Sequence, residues 1–351
     1  MLSRRRFAHL VGLAGAAGAL AGPRAAIPAA PARKARPATV KPRRLAAGDR
    51  VGLVLPASQA FEASTIDLAK QQLEAIGFEV RVGEHARQRH GYFAGTDAER
   101  AADLNAMFAA SDVAGIFCYT GGWGTPRLLP LLDFGVIRAN PKVFVGYSDV
   151  TTLLNAIHQE TGLVTFHGPM ASGAIRPWTL ENMKRVLMAA GTIGTLANPP
   201  KGDDELVARD YRIVTMRGGK ARGRLVGGNL TMLASLMGTP WEVDTEGAIL
   251  LLEDVNEAFY RIDRMLTQLR LGGKLDRLAG VAFGYCSECP TDAPSFSLEE
   301  ILDEFFRPLG VPACAGLAFG HIKEKLTLPI GLEATLDADA GTLTIDQAAV
   351  I

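Results

Sequence analysis

Ser148 and Asp149 follow directly on an apolar run, residues 143–147, and stand ahead of a stretch with helical spacing. A strand that turns sharply into a helix lifts a serine hydroxyl clear of a sheet, where a nucleophile is needed. Gly146 supplies the glycine two residues before the serine of such an elbow, while Val150 stands where the second glycine would be. Plain capping also suits these two residues, since Ser and Asp both accept a hydrogen bond from the first free N–H groups of a helix. A serine hydroxyl is a weak nucleophile and needs a base, most often a histidine held in one tautomer by a carboxylate. Six histidines compete for that role: His9, His85, His90, His158, His167 and His321. His9 falls in a basic leader, His85 and His90 in a polar stretch and His158 inside a helical pattern, whereas His167 and His321 border apolar runs beside glycine. Glu253 and Asp254 end the apolar run 248–252, and either could orient a base. Periodicity chooses neither the histidine nor the carboxylate.

Gly121-Gly122-Trp123-Gly124 follows another apolar run, 113–119. A glycine turn there can present the N–H of Gly122 to an anion with the N–H of Asp149 as its partner, and two such donors make an oxyanion hole; it can equally be a simple chain reversal. Neither a Gly-x-Gly-x-x-Gly fingerprint nor a phosphate loop ending in Gly-Lys-Ser/Thr is present at this turn, so no nucleotide cofactor is expected. Cys286-Ser-Glu-Cys289 lacks a second cysteine pair and a nearby histidine pair, which argues against zinc and for structural or incidental cysteines, with a disulfide open to them after export. No metal and no cofactor are expected.

The elements that must position these residues alternate. Residues 50–55, 78–82, 113–119, 142–147 and 163–166 read as strands. Between them Ile66, Ala69, Leu73 and Ile76 lie at helical spacing before Gly77, Thr96 to Glu99 form a capping box ahead of Ala101, Leu104 and Phe108, and Leu153, Leu154 and Ile157 mark a further helix. Such alternation argues for an α/β fold with a parallel sheet covered on both faces. In open sheets of this kind ligands bind beyond the carboxyl ends of the strands, where Ser148 and Gly122 both fall. After Ser172 the pattern changes. A short helix near 180–188, a polar stretch and two glycine-rich segments precede strands at 248–252 and 280–285, helices at 260–271 and 298–306, and strand runs near 328–336 and 342–345. The expectation is therefore an N-terminal doubly wound domain over 45–175, a linker over 176–215 and a smaller mixed α/β domain over 216–351.

The chain has 351 residues, 37 Lys or Arg against 37 Asp or Glu, and 48% hydrophobic residues. That is ample for two packed cores, and a balanced charge gives no support to a nucleic-acid partner. The balance hides an asymmetry: residues 1–48 hold ten basic and no acidic residues, leaving the remainder with 27 basic against 37 acidic. Arg4, Arg5 and Arg6 precede an apolar run too short to span a bilayer, and Ala30-Pro31-Ala32 offers a cleavage site, the pattern of a signal peptide. Ser3 to Phe7 further resembles the twin-arginine export motif. We expect residues 1–32 to be a removed signal, 33–44 to be a Pro/Ala/Arg linker, and the body to be periplasmic without a membrane span. A cytoplasmic protein with an uncleaved leader is the alternative.

With these residues in view the sequence resembles the LD-carboxypeptidase family of serine peptidases, which includes muramoyltetrapeptide carboxypeptidases and microcin C immunity hydrolases. The resemblance rests on Gly48-Asp49, Pro56-Ala57-Ser58, Gly95-Thr96-Asp97 with Arg100 and Asp103, Gly121-Gly122, and Asn140-Pro141-Lys142 leading to Gly146-Tyr147-Ser148-Asp149. Later blocks are Gly227-Gly228-Asn229-Leu230, Leu252-Glu253-Asp254 with Tyr260, Asp263 and Arg264, and Gly320-His321 with Leu328-Pro329-Ile330-Gly331. Thr120 departs from the pattern, as family members often carry Arg before the double glycine. The resemblance implies a glutamine amidotransferase-like first domain, a triad of Ser148, Glu253 and His321, and a site between domains. It also implies release of terminal D-alanine from murein tetrapeptides, with no cofactor and with a homodimer as a compatible assembly. Cleavage of another amide, such as an aminoacyl-nucleotide conjugate, and a binding module without turnover are the rival expectations.

Overall fold

The structure, a computed structural model, describes residues 36–202, 206–207, 210–291 and 294–351. The expected signal peptide and its arginine motif lie outside the described residues. In chain order the first half carries β1 (Arg50–Val54), α1 (Ala63–Ile76), β2 (Glu79–Val82), α2 (Asp97–Ala109), β3 (Gly115–Cys118), α3 (Phe134–Ala139), β4 (Val143–Gly146), α4 (Thr151–Thr161), β5 (Thr165–His167) and α5 (Pro177–Leu187). The second carries β6 (Gly194–Leu196), β7 (Val214–Arg217), β8 (Lys220–Asn229), α6 (Leu230–Ser235), β9 (Ala248–Val255), α7 (Phe259–Leu271), β10 (Gly280–Ser287), α8 (Leu298–Phe306), β11 (Ala313–Ala315), β12 (Leu328–Ile330), β13 (Glu333–Asp337) and β14 (Thr342–Ile345).

Local sequence explains the element ends. Thr96 accepts from the Glu99 N–H while the Glu99 side chain reaches back to the Thr96 N–H, the reciprocal box that starts α2. Gly77, at φ +111°, closes α1 and lets Ile66, Ala69 and Leu73 stay on the buried face. β3 and β4 are buried at every position, as central strands covered on both faces must be.

Among the described residues the strands form two sheets. The first has the order β12-β5-β4-β3-β1-β2, and every pairing in it is parallel except that of β12 with β5. The second has the order β6-β14-β13-β8-β9-β10-β11-β7, with a parallel centre of β8, β9, β10 and β11 and antiparallel flanks. One apolar cluster runs from the first sheet (Leu53, Phe117, Val145) into the second (Leu251, Leu336), and another is built from Leu250, Ile262, Phe283 and Phe306. β9 divides between them by strand alternation: Ile249 and Leu251 join the first cluster, Ala248, Leu250 and Leu252 the second.

Two expectations change, and one left open is resolved. The 176–215 stretch, read as a linker, contains α5 and β6, and β6 pairs with β14. The periodicity of β6 is too short to read, and its partner lies about 150 residues away. Residues 36–44 lie against the body, with Val40 exchanging backbone hydrogen bonds with Gly162 and Val164 at 2.8 Å; a Pro-rich stretch with little apolar surface is held here through its main chain and through Arg36, which donates to Asp244 and to the Glu246 carbonyl, and Arg43, which donates to Asp49. Cys286 and Cys289 are joined in a disulfide at the end of β10. No helix among the described residues is long and apolar enough to cross a membrane.

Candidate active site

β4 delivers Ser148. Val143, Phe144 and Val145 are fully enclosed, so the strand is fixed, and Ser148 then turns the chain at φ +62°, the left-handed region that non-glycine residues seldom occupy. Val150 is buried one turn on, and a Cβ at Gly146 would lie 2.6 Å from Val150 Cγ1. One glycine therefore suffices for this elbow, because the side chain at 150 fills the space that a side chain at 146 would need. The glycine turn after β3 presses against the same point: a Cβ on Gly121 would sit 2.7 Å from Ser148 Cβ and 3.3 Å from the Asp149 nitrogen.

Glu253 comes from β9. It continues the face of Ile249 and Leu251, toward the first sheet, and is fully buried. His321 comes from the loop between β11 and β12. Gly320 precedes it at φ +101°, and a Cβ there would fall 2.6 Å from Glu253 Oε2, so only glycine lets this loop approach β9. Three distant segments thereby meet: His321 Nδ1 lies 2.7 Å from Glu253 Oε2 and His321 Nε2 lies 2.9 Å from Ser148 Oγ. With Nδ1–H donating to the carboxylate, Nε2 is left to accept the serine proton. Burial on its own would push the Glu253 carboxyl up, but the His321 ring beside it outweighs that and holds it below the usual carboxylate range.

The other histidines sit elsewhere. His85 Nδ1 pairs with Asp103 Oδ1 at 2.8 Å, His158 Nδ1 bonds the Leu163 carbonyl, and His167 is enclosed between the Tyr147 and Phe319 rings, where burial pushes its pKa down to about 4. His90 is exposed, and His9 lies outside the described residues. Asp254 faces away from His321. It accepts from Asn229 Nδ2 and from the Thr231 N–H and hydroxyl, each at 2.9 Å, and burial followed by the charge of Glu253 pushes it up to about 6. The buried Asp149 carboxylate accepts from the Thr125 N–H at 2.9 Å and so ties the glycine turn to the elbow.

These groups open into a cleft of about 560 Å³ whose wall includes Ser148, His321, Gly122 and Asp149, with Trp123 at its rim. Sequence reasoning missed other residues on this wall. Tyr147 packs edge-on against His321 at 4.9 Å between ring centroids, and Lys325, Thr231, Glu257 and Arg261 line the space beyond. Position next to Ser148 was a signal for Tyr147; nothing in the pattern marked Lys325. Arg100 and Asp103 from the motif blocks are buried and hold neighbouring loops, Arg100 through the Pro56 carbonyl and Asp103 through the His85 N–H. Among the described residues no group of three or more His, Cys, Asp or Glu is placed to hold a metal ion.

Two family models match the chain, the LD-carboxypeptidase N-terminal domain over residues 51–168 and the LD-carboxypeptidase C-terminal domain over 222–336. The probable murein peptide carboxypeptidase of Bacillus subtilis (strain 168) is 41% identical over 314 residues, covering 87% of this chain and 94% of its own length. A solved structure of muramoyltetrapeptide carboxypeptidase from Oxalobacter formigenes shares 31% identity at a TM-score of 0.74, over 85% of this chain and 99% of that one. The microcin C7 self-immunity protein, solved with aspartyl sulfamoyl adenosine, shares 28% identity at a TM-score of 0.80, over 89% of this chain and all of its own.

Proposed function

The chain belongs to the LD-carboxypeptidase family, and from that premise we propose that it hydrolyses the bond between diaminopimelate and terminal D-alanine in murein tetrapeptides through an acyl-enzyme on Ser148. Membership of that family makes the chain a peptidase hydrolase. The proposed step begins with attack of Ser148 Oγ on the scissile carbonyl carbon as its proton passes to His321 Nε2. The N–H groups of Gly122 and Asp149 receive the developing oxyanion. The imidazolium then gives that proton to the leaving nitrogen of D-alanine, and Glu253 stabilises the charged ring meanwhile. A water activated by the same ring hydrolyses the ester and restores the serine.

One observation carries this reading: the continuous line Glu253, His321, Ser148, at 2.7 and 2.9 Å, ends on a strained elbow at a cleft wall. The likeness to the microcin C7 self-immunity protein supports a second reading, hydrolysis of an aminoacyl-nucleotide conjugate. Mass spectrometry of a murein tetrapeptide incubated with the full-length protein tests the first reading: the expected product is the tripeptide plus free alanine. An intact tetrapeptide alongside a cleaved aminoacyl-nucleotide conjugate would replace it with the second.

A further inference from the structure

A peptidase that releases a single terminal residue must recognise an end, and the end of a peptide is an anion. Among the described residues two cations line the cleft, Arg261 and Lys325. Arg261 is half exposed, faces Glu257 Oε2 at 3.5 Å and donates to Tyr260 Oη. Lys325 is differently placed. Its Nζ donates to Tyr147 Oη at 3.2 Å and lies 4.5 Å from the centre of the Tyr147 ring. The charges that act on it, Glu253 and Glu324, do so through space without a direct hydrogen bond. Its backbone is pinned: the Lys325 N–H donates to Thr179 Oγ1 at 3.0 Å, and Glu324 Oε2 accepts from the Thr179 hydroxyl at 2.8 Å.

We propose that Lys325 receives the terminal carboxylate of the leaving residue, and thereby makes this site selective for peptides with a free carboxyl end. The inference rests on the carboxypeptidase reading of the same cleft. Geometry supports it twice. Lys325 Nζ and the His321 ring both lie within 5 Å of the centre of one ring, that of Tyr147. In a terminal residue the carboxyl carbon is two bonds from the amide nitrogen, about 2.5 Å, so a nitrogen protonated by His321 keeps its carboxylate close to the groups packed around the same tyrosine ring. Two of the three ammonium hydrogens remain for it after the bond to Tyr147. A largely buried ammonium gains from an anionic partner, and charge-assisted hydrogen bonds are the stronger kind.

The test uses the full-length Ser148→Ala protein, which holds substrate without turning it over, and calorimetric titration with a murein tetrapeptide as free acid and as C-terminal amide. We expect the acid to bind roughly 10- to 100-fold more tightly, the range of one charged hydrogen-bonded contact. Adding Lys325→Met should remove the preference by weakening the acid alone, while Lys325→Arg should keep most of it, with circular dichroism confirming the fold of each. Equal binding of acid and amide by Ser148→Ala, binding of neither, or a preference that survives Lys325→Met would overturn the proposal. Hydrolysis by the wild-type protein is read separately. No cleavage of tetrapeptide with the acid preference intact removes the carboxypeptidase reading and leaves the carboxylate site, whereas cleavage without any preference removes Lys325 alone.

Discussion

Glu253 and Asp254 are adjacent on β9 yet serve opposite faces: Glu253 Oε2 lies 2.7 Å from His321 Nδ1, while Asp254 accepts from Asn229 and Thr231. Strand alternation forces this division, since successive side chains leave a strand on opposite sides. If the carboxylate fixes the imidazole tautomer, Glu253→Gln should lower kcat by about 10³- to 10⁴-fold with KM little changed, and Asp254→Asn should stay within about tenfold of wild type. Groups acting as a unit are not additive, so Glu253→Gln with His321→Ala should be scarcely worse than His321→Ala alone. Steady-state kinetics on tetrapeptide checks this, and equal losses in kcat from Glu253→Gln and Asp254→Asn would reassign the carboxylate.

The elbow separates activity from stability. Ser148→Ala should lose at least about 10³-fold in turnover with an unchanged circular dichroism spectrum. Ser148→Gly should be equally inactive and yet no less stable than wild type, because a non-glycine residue at φ +62° stores about 1 kcal/mol or more that glycine releases. Urea unfolding of the two variants distinguishes them. A glycine variant clearly less stable than the alanine variant would mean that the elbow holds no strain.

Gly320 should behave in the opposite way. A methyl group there meets Glu253 Oε2 at 2.6 Å and sits on a backbone at φ +101°. Gly320→Ala is therefore expected to destabilise by about 1–3 kcal/mol and to lower kcat by displacing His321 from Glu253, which crystallography of the variant and kinetics would register together. Wild-type kinetics in that variant would show that the loop reaches β9 without a glycine.

How much of this was legible in the sequence follows from the range of the forces involved. α2 was readable from Thr96 and Glu99 because a capping box is local, and Gly77 marked the end of α1 for the same reason. β8 was not. Its Gly227-Gly228 pair marks only a glycine-rich segment in the sequence, whereas Gly223 and Gly228 are there because a Cβ would meet the Gly247 carbonyl at 2.7 Å and Thr151 Oγ1 at 2.6 Å. Close packing between segments has no local signature. β12 crosses to pair with β5, a contact that only the assembled sheets reveal. At the site, spacing isolated Ser148 and a pair of carboxylates but left six histidines in competition; the family blocks singled out His321, and the three-dimensional arrangement brings that ring to Ser148. Lys325 remained invisible, since a lysine in a polar loop carries no periodic signal.

Export of the chain is open to a direct check. Residues 1–48 lack any acidic residue and begin with three consecutive arginines at 4–6, from which we propose twin-arginine export to the periplasm. Cell fractionation should recover a processed protein outside the cytoplasm, beginning between about residues 22 and 35. Arg4→Lys with Arg5→Lys should hold it inside, and an unprocessed cytoplasmic wild-type chain would refute the proposal.

Asp254 should leave a mark on stability as pH changes. Burial and the charge of Glu253 raise its carboxyl from 3.8 to about 6, so the folded protein holds this proton more tightly than the unfolded chain does. The sign follows from linkage: the stability this group contributes is fully present below pH 3.8 and is lost as pH rises through about 6, because above that point folding must bury a charge that the unfolded chain keeps in water. A shift of about 2 units corresponds to about 3 kcal/mol. Glu253 works in the opposite direction, its carboxyl being held low by His321, so the wild-type curve alone mixes the two. The difference between wild type and Asp254→Asn isolates the first. Urea unfolding at intervals from pH 4 to pH 7 should show wild type losing up to about 3 kcal/mol relative to Asp254→Asn across that window. Parallel curves would mean that the hydrogen bonds from Asn229 and Thr231 already compensate the buried charge and that Asp254 stays ionised throughout.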